Sequence, residues 1–462
     1  MTAMIDSRAR RRVVCCAVLL PVLLPLAACD LDSVLDVPDP EVASPTSLEG
    51  EAGLPVVLAG AKADFQLAFS GGTIEGLTSI TGLFADELHY GSTFPTRIEV
   101  DRREIQPVNS TMEPIHRFLH RARALAELSA EMHAELDPNS SGHAESLNLR
   151  GYTLILFAEM YCSGVPLSEV SATGAVTYGE PQSTTQLLEE AVAVFDAAIA
   201  AAGAAEDDAQ LNLARVGKAR ALLDLGRYAE AATAAAAVPT DFVYDIFHSE
   251  NSDRQNNGSY VFQYVGRRWA VADRDGENGL PFRSALDPRV PWALGTGAQS
   301  QAFDNSPLYL SLKYTSRSAS TTLASGVEAR LIEAEAALQA GSASWLTTLN
   351  ALRTAPPAYY PASQYPGIDA MAPLSDPGSD AARVDLLFAE RAYWMYLTGH
   401  RLGDLRRLIR QYGRTEDGVF PTGEWGTWSD DKSGDYGSDV NLVIPFDEEN
   451  NPNYEGCLSR EA

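Results

Sequence analysis

The chain has 462 residues, 45% hydrophobic and 21% charged, an ordinary globular composition with enough apolar material for a large core. Its 35 Lys and Arg face 62 Asp and Glu, a formal charge of −27. Such an acidic chain repels phosphate backbones, which argues against nucleic-acid binding as its main work.

The first 28 residues read as a secretory leader. Arg8, Arg10, Arg11 and Arg12 form a basic n-region, and Val13 to Ala28 is an apolar run broken by Pro21 and Pro25, too short and too interrupted for a membrane span. Leu26-Ala27-Ala28-Cys29 resembles a bacterial lipobox, which predicts cleavage before Cys29 and a lipid on its sulfur; an uncleaved anchor is the alternative. Each buried methylene of an acyl chain gains about 0.8 kcal/mol, so several chains hold a protein firmly at a bilayer. Residues 29–48 then read as the lipidated cysteine and an acidic, proline-containing tether. Losing the leader removes four Arg and one Asp, leaving a mature charge of −30. Cys15 and Cys16 leave with it and Cys29 is taken by the lipid. The remaining even pair, Cys162 and Cys457, predicts one disulfide in an exported protein, with two buried free thiols as the alternative.

Residues 49–462 read as a single helical domain. Helical periodicity marks Glu113 to Leu136 and Glu145 to Tyr161. Ser183 and Gln186 have the spacing of a capping box, and Leu187, Leu188, Ala191, Phe195, Ala198, Ile199 and Ala202 follow on one face. From Ala191 to Ala237, 20 of 47 residues are alanine, which favours helices that approach closely. Within Leu211 to Pro239, Gly226 ends one helix, Tyr228 opens the next and Ala231 permits close contact, the pattern of a tetratricopeptide-like hairpin. Ala329 to Arg353, turning at Ala340-Gly341, repeats it more loosely. Further helical stretches are Gly326 to Leu338, Trp345 to Leu352 and Asp385 to Ile409. Two regions are loop-rich: 241–320, where Tyr260 to Val265 reads as a strand, and 354–382, which carries six prolines.

Catalytic motifs are absent: there is no nucleophile elbow, P-loop or dinucleotide fingerprint. His116 and His120 are spaced i, i+4, but Arg117 stands where a metalloprotease needs its Glu and the sequence offers no third ligand, so no metal and no cofactor are expected. Asp273 to Asn278 and Asp430 to Asp435 are oxygen-rich but lack the spacing of a calcium loop, and read as polar turns. Aromatic side chains in loops suit stacking against sugar CH faces. His89, Tyr90 and Phe94 in one segment, and Trp269 and Trp292 in another, are the candidates, with core packing as the competing reading.

The run Glu390-Arg391-Ala392-Tyr393-Trp394-Met395-Tyr396-Leu397-Thr398-Gly399-His400-Arg401-Leu402-Gly403-Asp404-Leu405-Arg406-Arg407 resembles the C-terminal hallmark of the SusD/RagB family of outer-membrane nutrient-uptake lipoproteins. Tyr161 to Leu167, Lys313-Tyr314, Glu333 to Ala336 leading to Asn350 to Arg353, Phe420 to Gly423, Ile444-Pro445 and Asn451 to Asn453 resemble further pieces of the family pattern in its order. Trp394 and Thr398 depart from it, standing where acids are common. The resemblance implies a mainly α fold, tetratricopeptide-like hairpins forming a right-handed superhelical scaffold with loop-rich insertions and a few short strands. It also implies an outer-membrane lipoprotein, at the cell surface, that captures a glycan or other oligomeric nutrient for a TonB-dependent, SusC-like channel without catalysis. A tetratricopeptide-like envelope scaffold is the alternative. The hallmark residues Glu390, Arg391, Gly399, Arg401, Asp404 and Arg406 are expected to fix the last helix rather than to touch ligand. Arg401 and Asp404, at i, i+3, are expected to pair, and Glu390 and Arg406 can meet only through a bend near Gly399 or Gly403.

Overall fold

The computed structural model describes residues 50–170, 175–362 and 365–462. The described residues, from Gly50 on, belong to one compact unit; the leader, Cys29 and the tether lie outside them. No helix among the described residues is long and apolar enough to cross a membrane.

The helices are α1 (Gly50–Ser70), α2 (Leu77–Phe84), α3 (Pro95–Asp101), α4 (Met112–Leu136), α5 (Ser141–Met160), α6 (Thr184–Ala204), α7 (Asp208–Asp224), α8 (Tyr228–Ala235), α9 (Gly326–Gln339), α10 (Ser344–Thr354), α11 (Asp380–Trp394) and α12 (Arg401–Tyr412). Their starts follow local chemistry. The Ser140, Asp207, Ser325 and Ser379 side chains accept from the first free backbone N–H groups of α5, α7, α9 and α11. Ser183 and Gln186 close the full capping box at α6. After α7 and α9, Gly226 and Gly341 take the left-handed conformation that turns the chain back (φ 72° and 68°).

Successive helices pack as neighbours, α4 on α5, α5 on α6, α6 on α7, α7 on α8 and α9 on α10, while α8 also meets α9 and so joins the two hairpins across the intervening loops. Both hairpins expected from the sequence are present. Phe195 of α6 is wedged between two glycines: a Cβ on Gly151 of α5 would lie 2.6 Å from its ring, and one on Gly217 of α7 closer still. The alanine-rich stretch and these glycines let three helices close on one aromatic ring.

Strands among the described residues are short and pair two by two, antiparallel; the pairs that bear on the site are β1 (Leu88–Tyr90) with β3 (Trp269–Val271), β2 (Val243–Ile246) with β6 (Thr321–Ser325), and β4 (Trp292–Leu294) with β5 (Tyr309–Ser311). Tyr260 to Val265 is not a strand, contrary to its composition. Gly258–Tyr260 is a helical turn that runs into a π-helical turn over Val261–Val265. The Asn257 side chain accepts from the Tyr260 N–H and donates to the Ala319 carbonyl at 2.8 Å, so a tertiary anchor sets the helical start and overrides β propensity.

Cys162 and Cys457 are bonded across 295 residues. The bond lies where the C-terminal tail runs beside the exit of α5: Cys162 N–H donates to the Leu442 carbonyl and Ser163 N–H to that of Ser459.

Candidate functional site

The hallmark residues make a buried electrostatic frame. The sequence reads as one helical stretch from Asp385 to Ile409, but α11 stops at Trp394 and α12 starts at Arg401, with Leu397 and Gly399 at positive φ between them (52° and 77°). Distant groups take the backbone partners that a continuous helix would use. The Leu397 N–H donates to Glu87 at 2.8 Å, Tyr314 Oη donates to the Leu397 carbonyl at 2.9 Å, and Lys313 Nζ donates to that of Tyr396.

Across the break, Asp404 accepts from Arg391 (2.9 Å to Nη2) and from Arg407 (2.6 Å). Arg407 also binds Glu335 of α9. Burial opposes the Asp404 charge, but the two guanidiniums outweigh it and hold its carboxyl well below the usual carboxylate range. Arg401 does not pair with Asp404, which corrects the i, i+3 expectation: it forms a two-pronged pair with Asp86 at 2.6 and 2.7 Å. Helical side chains lean toward the N-terminus, so Arg407 reaches back to Asp404 while Arg401 points away from it. Glu390 and Arg406 do not meet. Glu390 is held by Arg289 and Arg353, and Arg406 donates to the carbonyls of Ala158, Glu159 and Tyr161, capping the C-terminus of α5. These contacts fix the last helices against α5 and α9, and burial keeps the hallmark side chains from a ligand.

An aromatic surface lies elsewhere, on residues 258–311. The helical turn replaces the alternation of a strand with i, i+4 spacing, so Tyr260 and Tyr264 stack (centroids 4.9 Å, 18°) while Phe262 is buried. Tyr264 and Tyr309 pack on a small core of Ala270, Ala302, Leu308 and Leu310. Trp292 meets Tyr309 edge-on at 5.6 Å, and the Arg283 guanidinium lies 3.6 Å from the Tyr309 centroid. Phe303 is 54% exposed with Arg267 at 4.7 Å, and Phe94 is 48% exposed beside Arg97 and Arg268. Backbone bonds tie these segments together: Gly91 N–H donates to the Arg268 carbonyl and Asp304 N–H to that of Gly91. These adjacent segments thus carry partly exposed rings bordered by guanidiniums, chemistry suited to amphipathic polar ligands.

Of the aromatic candidates named from sequence, Phe94 and Trp292 reach this face. His89, Tyr90 and Trp269 do not, a correction: all three are at most 1% exposed because the β1–β3 pair lies inside the core. His89 stacks on Trp428 at 4.6 Å, and burial pushes its imidazole well below the usual range. Tyr260, Tyr264, Phe303 and Tyr309 were not singled out from sequence; the available signal was their density in a loop-rich region, obscured by the strand reading. In the first acidic turn Asp273 accepts from both the N–H and the hydroxyl of Ser284; from the second, Lys432 reaches out to Asp304 and the Tyr90 carbonyl. His116 and His120 do gain a third neighbour that the sequence could not supply, Glu448.

No family model matches the chain, and no curated protein matches it. Solved structures do. A SusD-like carbohydrate-binding protein from Bacteroides vulgatus aligns with TM-score 0.64 at 14% identity, covering 88% of this chain and 98% of its own. Surface glycan-binding protein A from Bacteroides uniformis gives 0.62 at 12%, covering 87% and 98%. A SusD-like carbohydrate-binding protein from Bacteroides fragilis gives 0.61 at 15%, covering 88% and 99%. Nearly the whole length of each of these proteins is matched, and the fold of this chain is the SusD-like fold.

Proposed function

We propose that this protein is a lipid-anchored glycan-binding protein of the outer-membrane surface that holds an oligosaccharide for uptake through a TonB-dependent channel. The observation that carries the reading is the exposed aromatic and guanidinium face built on a fold shared with proteins described as carbohydrate- and glycan-binding. The lipobox at Leu26 to Cys29 supports the anchor, and the acidic tether supports a position held off anionic headgroups. Trp292, Phe303 and Phe94 would carry sugar CH faces, with Arg267, Arg268 and Arg283 donating to hydroxyls at the rim. On this reading binding proceeds without turnover, the rings stacking on sugar faces and the guanidiniums donating hydrogen bonds.

The test is affinity electrophoresis of the mature protein through gels containing plant, host and microbial polysaccharides. At least one polysaccharide retards the protein without being shortened. Trp292→Ala and Phe303→Ala each weaken that binding by about two- to twelvefold, the worth of one aromatic contact, and Phe303→Ala, at an exposed ring, does so with the melting temperature unchanged. No retardation by any polysaccharide, or repeated cleavage of one, refutes the binding role. Copurification of the lipoprotein from detergent extracts with a barrel protein supports the channel partnership; recovery with only soluble or inner-membrane proteins refutes it.

A further inference from the structure

His116 and His120 sit one turn apart on α4, and the C-terminal tail brings Glu448, in a 3-10 turn over Phe446–Asn450, against them. One ligating atom from each of the three lies within 4.8 Å of the other two, the one such group of three among the described residues. The two imidazole Nε2 atoms are 3.3 Å apart. Glu448 Oε1 is 3.9 Å from His116 Nδ1 and 4.0 Å from His120 Nε2. A tetrahedral ion with bonds of about 2.0–2.1 Å needs its ligands roughly 3.3–3.4 Å apart. The histidine pair already has that spacing through its Nε2 atoms; taking one ligand atom from each residue, every pair lies within 4.8 Å, so a contraction of at most roughly 1.5 Å closes the triangle on an ion.

We propose that His116, His120 and Glu448 form a binding site for a divalent transition-metal cation, Zn2+ in the first instance, with a fourth coordination position open to solvent.

The surroundings favour this assignment. Both rings are held in place by aromatic neighbours: His120 lies 4.4 Å from Phe157, and His116 lies 5.1 Å from Tyr161. Two imidazoles and a carboxylate form a donor set that Zn2+ takes readily. A cavity of about 300 Å³, lined by Glu113, His120, Pro166, Pro445 and Glu448, opens onto the group and gives an ion its entry path. The adjacent cations are engaged elsewhere, Arg117 with Glu113 at 2.7 Å and Arg121 with Asp64 at 3.0 Å. Arg117 occupies the helix position where a metalloprotease carries its base, so the site binds the ion and anchors the tail to α4, a second fastening beside the Cys162–Cys457 bond.

The experiment titrates chelator-stripped mature protein with ZnCl2 by calorimetry and with CoCl2 by visible absorption. Wild type binds one ion per chain, and Co2+ shows the intense bands of four-coordination. His120→Ala and Glu448→Gln, the second nearly isosteric, each weaken binding by about tenfold or more, while His143→Ala leaves it unchanged. Circular dichroism of the metal-free variants checks folding, and Glu448→Gln decides alone if His120→Ala is misfolded. Absence of a one-to-one isotherm, or equal affinity in wild type and Glu448→Gln, overturns the assignment. The readout is the ion itself, so its failure leaves the glycan reading untouched.

Discussion

Asp404→Asn isolates the charge that the hallmark places between α11 and α12. The carboxylate is buried and accepts from Arg391 and Arg407. Asparagine keeps one acceptor and turns an NH2 donor toward a guanidinium. Arg407 retains Glu335 and, at 3.3 Å, Asp224, whereas Arg391 is left with Glu335 at 3.8 Å alone. Removing one partner of a buried pair costs about 3–5 kcal/mol because the remaining charge stays desolvated. A unit of roughly 400 residues unfolds with an entropy near 0.9 kcal/mol/K, so the expected fall in melting temperature is about 3–6 °C. Calorimetry of both proteins across pH tests the sign. The folded-state carboxyl is depressed, so its contribution is fully present above the unfolded value near pH 4 and is lost only as pH falls through the lower folded value. The gap between the two proteins is therefore constant from pH 5 to 8 and narrows only in stronger acid. A variant melting within about 1 °C of wild type at neutral pH, or a gap that closes between pH 7 and 5, refutes the reasoning.

Replacing Cys162 and Cys457 together by serine lowers the unfolding free energy by about 2–5 kcal/mol, since the bond closes a 295-residue separation. Urea titration with and without reductant measures this; an unchanged midpoint in the double variant contradicts it. Gly217→Ala, despite a gain of up to about 1 kcal/mol in helix propensity, destabilises by about 1–3 kcal/mol because its Cβ meets the Phe195 ring. A higher melting temperature for that variant shows that α6 and α7 separate freely and refutes the wedge.

Most of the helices from α4 onward, the capping box at Ser183 and both hairpins were legible in the sequence because their causes lie within a few residues, whereas α1, α2, α3 and the other serine and aspartate caps were not singled out. A Ser at the N-cap, a Gln three positions on, and a glycine where the chain must turn back act at short range. The Glu390 to Arg407 hallmark was legible as a pattern, and so was its structural character. Its pairings were not. Arg401 finds Asp86 across 315 residues, and Leu397 leaves the helix for Glu87 across 310, choices that only packing brings within reach. The same reason divides the aromatics. Local sequence marks a ring as lying in a loop, but burial depends on what covers it, so Phe94 and Trp292 reach the surface while His89, Tyr90 and Trp269 are enclosed. It also explains Tyr260 to Val265, where β-favouring residues form a helical turn because Asn257 is tied to Ala319. The i, i+4 histidines were visible on α4 from the sequence alone. Their carboxylate neighbour, Glu448, arrives on a tail whose path is set by its pairing with the α5 exit and by the Cys162–Cys457 bond. Sequence by itself determined what forms locally; the tertiary fold decided which distant side chains meet, because charge and hydrogen-bond partners are chosen by proximity in space.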